Sequence, residues 1–521
     1  MDHPFFSTVS GYADNDPDRR FFHAGTQSLS YRDFLTSVER ISGSLNSAGV
    51  AHGSKVALVM PNSTMWYTVF WAIVRIGAHP LPLDPLAGEW EIVRMLDITG
   101  CTICFVASCY KSNPIIDVVR NALRALPSLQ KVVVVDGFER RSSLTQIVSI
   151  EDFCELGTGA VPELFTPQSD EPLMLACTSG STGNPKVITV PHVGFLKSQK
   201  DMADYLGFCE RDSMAVGMPL YHQGGFGMGL QMILNGGAVF YEPVFDPAAF
   251  CDLIVREGIT VVQLTPTIAR IILSMPDIDY QDFCGVRLCY FAGEVLPMEI
   301  AREFFVKRGI RVVNVIGSSE TATMVVWDSD VDRDHDTNEF RALPFTEFAI
   351  LDEHRCEVPP GETGTICVHT DAQLLEYYKN ECETARRLFT MDNCTWFDTG
   401  DLGIRTAMDR VKFAGRSKRI IKRGANLVCP EESEAFLLTH PMIAAAAVTG
   451  EPHELLGEMI VAYIQPAPGC LLTRSDIVSF YMGRLAAYKI PDKMIFTDSI
   501  PHDIGKVQFK HLNHHNPERT T

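Results

Sequence analysis

The sequence predicts an α/β protein with a large N-terminal domain of helix-covered parallel sheets, a β-rich subdomain inside it, and a small α+β C-terminal domain. Three observations carry this. Helical and strand-like periodicities alternate over residues 1 to about 170 and again over 214–320, the pattern of parallel strands joined by covering helices. Over 346–412 short apolar runs are separated by turn formers such as Pro359-Pro360-Gly361, which predicts a β-rich subdomain, drawn as a distorted barrel. After Gly415 a basic stretch (Arg416, Lys418, Arg419, Lys422, Arg423) opens a last hundred residues of different character. The domains are therefore drawn at 1–415 and 416–521.

Taken in order, Tyr31 to Ala48 has helical spacing, Val56 to Met60 is a strand, Trp66 to Ile76 is helical, and Cys101 to Ala107 and Lys131 to Val135 are strands. The most apolar stretch, Met65 to Val74, is too short to cross a bilayer and reads as a buried helix. Residues 136 to 170 are polar and turn-rich apart from an apolar patch at Leu144 to Ile150. Leu173 to Cys177 then leads into a Gly/Ser/Thr loop, a strand feeding a glycine turn. Ala238 to Tyr241, Thr260 to Leu264, Phe348 to Asp352 and Gly364 to His369 are strands, and His511 to Thr521 is a polar tail.

With 521 residues, 46% of them hydrophobic, the chain has material for large cores. A net charge of −19 disfavours nucleic acid as a partner. Fifteen cysteines form no paired C-x-x-C framework, and Met1-Asp2-His3-Pro4 is not the start of a basic-then-apolar leader. Free thiols in a reducing cytoplasm, without an integral membrane segment, are the expectation.

The chemistry centres on Thr178-Ser179-Gly180-Ser181-Thr182-Gly183-Asn184-Pro185-Lys186. Glycines let backbone N–H groups approach an anion, hydroxyls add donors, and the lysine brings positive charge to a polyphosphate. The spacing is not that of a Walker loop. Downstream, Ile316-Gly317-Ser318-Ser319-Glu320-Thr321 sets a carboxylate beside hydroxyls, oxygen ligands of the kind Mg²⁺ takes. Trp396-Phe397-Asp398-Thr399-Gly400-Asp401-Leu402 sets a carboxylate just after a glycine turn, where it can accept hydrogen bonds from a pair of vicinal hydroxyls such as those of a ribose. Fifteen residues beyond lie Gly415 and Arg416. Near the end, Ile500 to Ile504 leads to Gly505-Lys506-Val507, with Lys506 on a turn.

The loop and the order of these motifs resemble the adenylate-forming superfamily of acyl-CoA synthetases, peptide-synthetase adenylation domains and luciferases, over Tyr31 to Leu512. The resemblance implies ATP and Mg²⁺ as cofactors and a small carboxylic acid, aryl or alkyl, as substrate. It implies that Thr178, Ser179, Gly180, Ser181, Thr182, Gly183 and Lys186 hold phosphate, and that Gly317, Ser318 and Ser319 touch the adenylate. Glu320 would assist the metal, and Asp401 and Arg416 would hold the ribose or a phosphate. The C-terminal domain resembles a mobile lid with its hinge at Lys418 and a catalytic lysine, Lys506. A thiol channel would pass Gly424 and Ala425. With Lys186, Glu320 and Lys506, His222 is counted among the catalytic residues. It also lines an expected acyl pocket with Gly225, Ala292, Gly293, Glu294 and Ile316. No aspartate stands near His222 to pair with an α-ammonium, which disfavours an amino acid.

This chain departs from the family at Val187, Ala425, Thr365 and Arg419. A methyl group at Ala425 would narrow the pantetheine channel that the resemblance implies, which bears on the acceptor. Coenzyme A is the first choice, giving an acid–thiol ligase. The alternatives are a stand-alone adenylation enzyme that loads the phosphopantetheine arm of a carrier protein, and a non-catalytic nucleotide-binding regulator of the same fold.

Overall fold

Short runs of β-branched and aliphatic residues build the first sheet. The computed structural model describes residues 3–137, 146–155, 161–178, 186–275, 283–293, 296–407, 409–416, 421–424, 426–428, 430–497, 500, 502–503 and 506–507. In it five strands pair in the order His79–Leu83, Lys55–Val59, Ile103–Val106, Lys131–Val134 and Ile147–Ser149, all parallel. The helix Thr64–Arg75 is capped by Ser63, whose hydroxyl accepts from Trp66 N at 3.0 Å, and buries every residue from Trp66 to Val74. At 12 residues it spans about 18 Å. No helix among the described residues is long and apolar enough to cross a membrane.

A second, larger sheet has a parallel centre. Arg20–Ala24, Ala238–Tyr241, Ser213–Val216, Val261–Leu264, Leu288–Ala292 and Arg311–Ser318 follow one another across it. Beyond Arg311–Ser318 the pairing turns antiparallel through Ala322–Asp328, Glu339–Ala342, Arg410–Arg416, Cys394–Ala407, Thr363–His369 and Glu347–Leu351. The strands expected as a distorted barrel thus continue the main sheet. Glu339–Ala342 joins them by pairing with Ala322–Asp328 on one side and Arg410–Arg416 on the other, a non-local choice that local turn signals do not reveal.

Contacts divide the chain into two units. One comprises Met1–Pro85, Leu96–Ala176 and Val187–Arg416; the other comprises Leu86–Met95, Cys177–Lys186 and Ser417–Thr521. The second unit holds a sheet in the order Asn426–Val428, Ile421–Arg423, Gly457–Pro466 and Ile443–His453, with Lys493–Phe496 parallel to Gly457–Pro466. Its core gathers Val428, Phe436, Leu437, Val448, Ile460, Ile477 and Tyr481. Reading along the chain leaves Leu86–Met95 in the N-terminal domain. In the structure Trp90 packs edge-on against Phe436 at 5.6 Å, and Glu91 accepts from Ala486 N at 2.8 Å. Lys489 Nζ lies 2.5 Å from Glu91 and 3.0 Å from Glu432, with all three residues buried.

Candidate active site

Parallel strands in register bring their carboxyl ends to one sheet edge, where open α/β sheets bind ligands. Val216 pairs with Gln263, Leu264 with Phe291, and Ala292 with Val315. The segments that leave this edge are Gly217–His222, Thr265, Gly293 and Ser319–Thr321. Gln263, fully buried, holds the first of them: its Oε1 accepts from Met218 N at 3.0 Å.

His222 stands at the N-cap of the helix Gln223–Leu234 without a side-chain capping bond, its ring 4.6 Å from that of Tyr221. The residue as a whole is exposed, and protein packed about the imidazole disfavours its charged form. That enclosure lowers its pKa to about 4, so the ring is neutral at physiological pH. Gly225 follows on the same helix; a Cβ there would lie 2.2 Å from the Pro219 carbonyl oxygen, and Tyr241 donates to its carbonyl at 2.7 Å. Ala292 is buried, Gly293 exposed and Ile316 half-buried at the same edge. Glu294 lies outside the described residues.

Glu320 sits on the turn between Arg311–Ser318 and Ala322–Asp328. The strand runs further into the motif than its apolar start suggests, so Gly317 and Ser318 pair with Thr323 and Ala322. Glu320 N donates to Ser318 Oγ at 3.2 Å, and the Ser318 and Thr321 hydroxyls are 3.0 Å apart. Ser319 is half-buried beside them. The Glu320 carboxylate accepts from Tyr377 OH at 3.2 Å, and its carbonyl from Leu374 N at 2.6 Å. Among the described residues no group of three or more His, Cys, Asp or Glu could hold a metal. One carboxylate amid hydroxyls fits Mg²⁺, which usually binds through one or two carboxylates plus waters and substrate phosphates.

Asp401 lies within the long strand Cys394–Ala407, directly opposite Arg416 on Arg410–Arg416. The two candidate ribose contacts are therefore cross-strand neighbours. Gly400 before Asp401 has φ +72°, a left-handed conformation that favours glycine. Asp398 Oδ1 accepts from Gly400 N and from Arg387 Nη1, both at 2.8 Å, and Thr399 Oγ1 accepts from Asp401 N at 3.0 Å. Asp401 itself is 7% exposed.

The candidate phosphate loop is described only at its ends. Thr178 closes the strand Pro172–Thr178 and Lys186 opens Lys186–Pro191, its neighbour in a three-stranded sheet. Ser179, Gly180, Ser181, Thr182 and Gly183 lie outside the described residues, as do Lys418 and Ala425. Gly424 donates its N–H to the Leu456 carbonyl at 2.7 Å. Lys506 pairs with Asp503 in a two-stranded ladder, His502–Asp503 with Lys506–Val507.

Sequence reading missed Gln263, Tyr377, Arg387 and Asp398. The one signal for Arg387 was the Arg386-Arg387 pair shortly before the Asp-Thr-Gly-Asp run. Tyr377 carried none, because its partner is 57 residues away in sequence.

The family model described as "AMP-binding enzyme" matches residues 10–378, and that of the "AMP-binding enzyme C-terminal domain" matches 432–504. The chain is 28% identical over 504 residues to the indoleacetate–CoA ligase of Aromatoleum aromaticum, covering 96% of each chain. It is 26% identical over 514 residues to a fatty acid–[acyl-carrier-protein] ligase of Streptomyces coeruleorubidus, covering 97% of this chain and 95% of that one. Its fold is similar to that of an amide bond synthetase from Marinactinospora thermotolerans, with a TM-score of 0.82 and 21% identity over 97% of this chain and 98% of that one.

Proposed function

Because the chain belongs to the AMP-binding enzyme family, the AMP-forming acid–thiol ligases that activate carboxylic acids by adenylation, we propose that it converts an aryl or alkyl acid to its acyl adenylate and passes the acyl group to coenzyme A. The observation that carries this reading is a pair of acidic residues, half-buried Glu320, whose carboxylate accepts from Tyr377, and buried Asp401, whose backbone N–H is held by Thr399; Glu320 lies within the family match and Asp401 between the two matches. Asp401 and Arg416 take the ribose and a phosphate, Thr178 and Lys186 flank the loop that takes the polyphosphate, and Gly317 to Ser319 border the adenylate. Mg²⁺ held at Glu320 would offset charge on the transferring phosphate. The substrate carboxylate attacks the α-phosphorus; a bond forms from carboxylate oxygen to phosphorus and the bond to pyrophosphate breaks. Lys506 stabilises the charge that develops in that step.

For the acid, the neutral His222, the absence of an acidic residue between Pro219 and Leu234, and the glycines 224, 225 and 227 favour an uncharged aryl or alkyl chain over an amino acid. The indoleacetate–CoA ligase among the relatives supports an aryl acid and coenzyme A. The carrier-protein ligase supports the second reading, in which phosphopantetheine on a carrier is the acceptor. In either case residues 416–521 act as a lid hinged at Lys418, with Gly424 and Ala425 beside the thiol. Thioester formation from a panel of aryl and alkyl acids, with free coenzyme A against holo carrier proteins, tests this. Turnover only with carriers would replace the first reading by the second, and no pyrophosphate exchange with any acid would leave only a nucleotide-binding regulator.

A further inference from the structure

We propose that residues 376–387 form a bracket that sets both nucleotide-handling carboxylates, with Tyr377 and Arg387 as its positioning residues. The inference rests on the reading of Glu320 and Asp401 given above and adds what holds them.

The bracket consists of the two-residue strand Glu376–Tyr377 and the helix Glu381–Arg387. Asn380 caps the helix by accepting from Glu383 N at 3.1 Å. Thr384 Oγ1 accepts from Tyr377 N at 2.9 Å, so strand and helix are tied together.

At one end the segment grips Glu320 twice. Tyr377, 4% exposed, donates its phenol to Glu320 Oε1, and Leu374, just upstream, donates its N–H to the Glu320 carbonyl. The phenol occupies one carboxylate oxygen and orients the other.

At the far end Arg387, 6% exposed, donates Nη1 to Asp398 Oδ1 at 2.8 Å and to the Asp398 carbonyl at 3.0 Å. Asp398 Oδ1 in turn receives Gly400 N. A Cβ on Gly400 would lie 2.9 Å from Arg387 Nη1, so the guanidinium is packed on the backbone that aims Asp401. Glu383, also buried, steadies Arg387 from within the helix at 3.5 Å. A helix that served only to cover the sheet would need neither a buried arginine on this turn nor a phenol on that carboxylate. Here one end of a short segment terminates on the carboxylate assigned to the metal, and the other on Asp398 and Gly400, the turn that leads into the residue assigned to the ribose.

Calorimetric titration of the full chain with ATP, 2′-deoxy-ATP and 3′-deoxy-ATP over a range of Mg²⁺ concentrations tests this without knowledge of the acid. Arg387→Leu should erase most of the preference for ATP over the deoxynucleotides and weaken ATP about tenfold, with Arg387→Lys restoring part of it. Arg387→Gln, which keeps a donor without the fork, is read instead should the leucine variant fail to fold. Tyr377→Phe should raise the Mg²⁺ concentration for half-maximal ATP binding about tenfold, the size typical of groups that orient a metal ligand, while leaving ribose discrimination intact. Asp401→Asn and Glu320→Gln are the controls. If Asp401→Asn leaves the discrimination unchanged, the ribose assignment falls and the bracket with it. If Asp401→Asn abolishes it while the Arg387 variants keep it, or Glu320→Gln shifts the Mg²⁺ dependence while Tyr377→Phe does not, the bracket alone is wrong.

Discussion

At the scale of single residues, chemistry and register decide what was readable. Asp401 was legible because Trp-Phe-Asp-Thr-Gly-Asp places a carboxylate after a glycine, and the structure sets it across from Arg416. Replacing it by alanine should weaken ATP binding by roughly 1.5 to 3 kcal/mol, the usual worth of a charged hydrogen-bond acceptor; an unchanged ATP affinity by calorimetry would refute the ribose role. Lys489 was not legible, since a lysine in a Tyr-Lys-Ile-Pro run carries no mark of its partners. Burial would lower its pKa, but Glu91 and Glu432 outweigh burial and hold it well above the ordinary lysine range, while burial pushes Glu432 upward. Lys489→Met leaves two buried carboxylates without a cation and should destabilise the second unit by about 3 to 5 kcal/mol. Replacing all three by apolar residues of similar volume should recover much of that loss. Denaturant midpoints of the single and triple variants check both statements, and a near-neutral Lys489→Met would mean the charges are relieved by water or protonation.

Elements were read well where the pattern is local. The strand Ala238–Tyr241 falls on its expected bounds, and the helix Tyr31–Ser47 ends one residue early; it starts at a reciprocal cap in which Ser30 accepts from Asp33 N and Asp33 accepts from Ser30 N. The stretch around Gly400 read as a turn but lies within a 14-residue strand, because pairing with Thr363–His369 and Arg410–Arg416 carries the strand through the glycine. The N-terminal helix Pro4–Asn15 had no expectation attached. Its N-cap, His3, is fully buried, stacks edge-on against Phe6, and shares a proton with His192, Nε2 to Nε2 at 3.1 Å. One imidazole must donate and the other accept, so the two cannot both be protonated. Burial pushes His3 down to about 4; burial, and then His3 and His79, push His192 well below the ordinary range. Unfolded histidines titrate near 6.5, so the pair contributes its full stability above about pH 6.5 and loses it progressively as pH falls toward 4. The denaturant midpoint of the wild type should therefore drop more steeply between pH 6.5 and 4.5 than that of His3→Gln, whose amide still donates to His192 but does not titrate. Parallel slopes for the two proteins would remove the histidine pair as the cause. Hydrogen exchange over residues 4–15 should accelerate in the same interval.

For the whole molecule, alternation of helices and strands was enough to foresee an α/β chain with a separate C-terminal unit, whereas inclusion of Leu86–Met95 in that unit depends on contacts such as Glu91 to Lys489 that span nearly 400 residues. The function proposed for the lid makes a division of labour testable. If Lys506 stabilises charge only while the adenylate forms, Lys506→Ala should slow that step by about 10² to 10³, the range for loss of one preorganised donor. The same variant, supplied with synthetic acyl adenylate, should still form the thioester, since that step draws on the Gly424–Ala425 side of the lid. Ala425→Trp should behave conversely: pyrophosphate exchange stays close to wild type, and transfer to the thiol stops because the indole fills the path of the pantetheine arm. Two assays on two variants give four rates. A crossed pattern requires that residues 416–521 present different faces in the two half-reactions. Equal losses in both assays for both variants would instead describe one fixed active site, and the lid assignment would fail even with the adenylating chemistry intact.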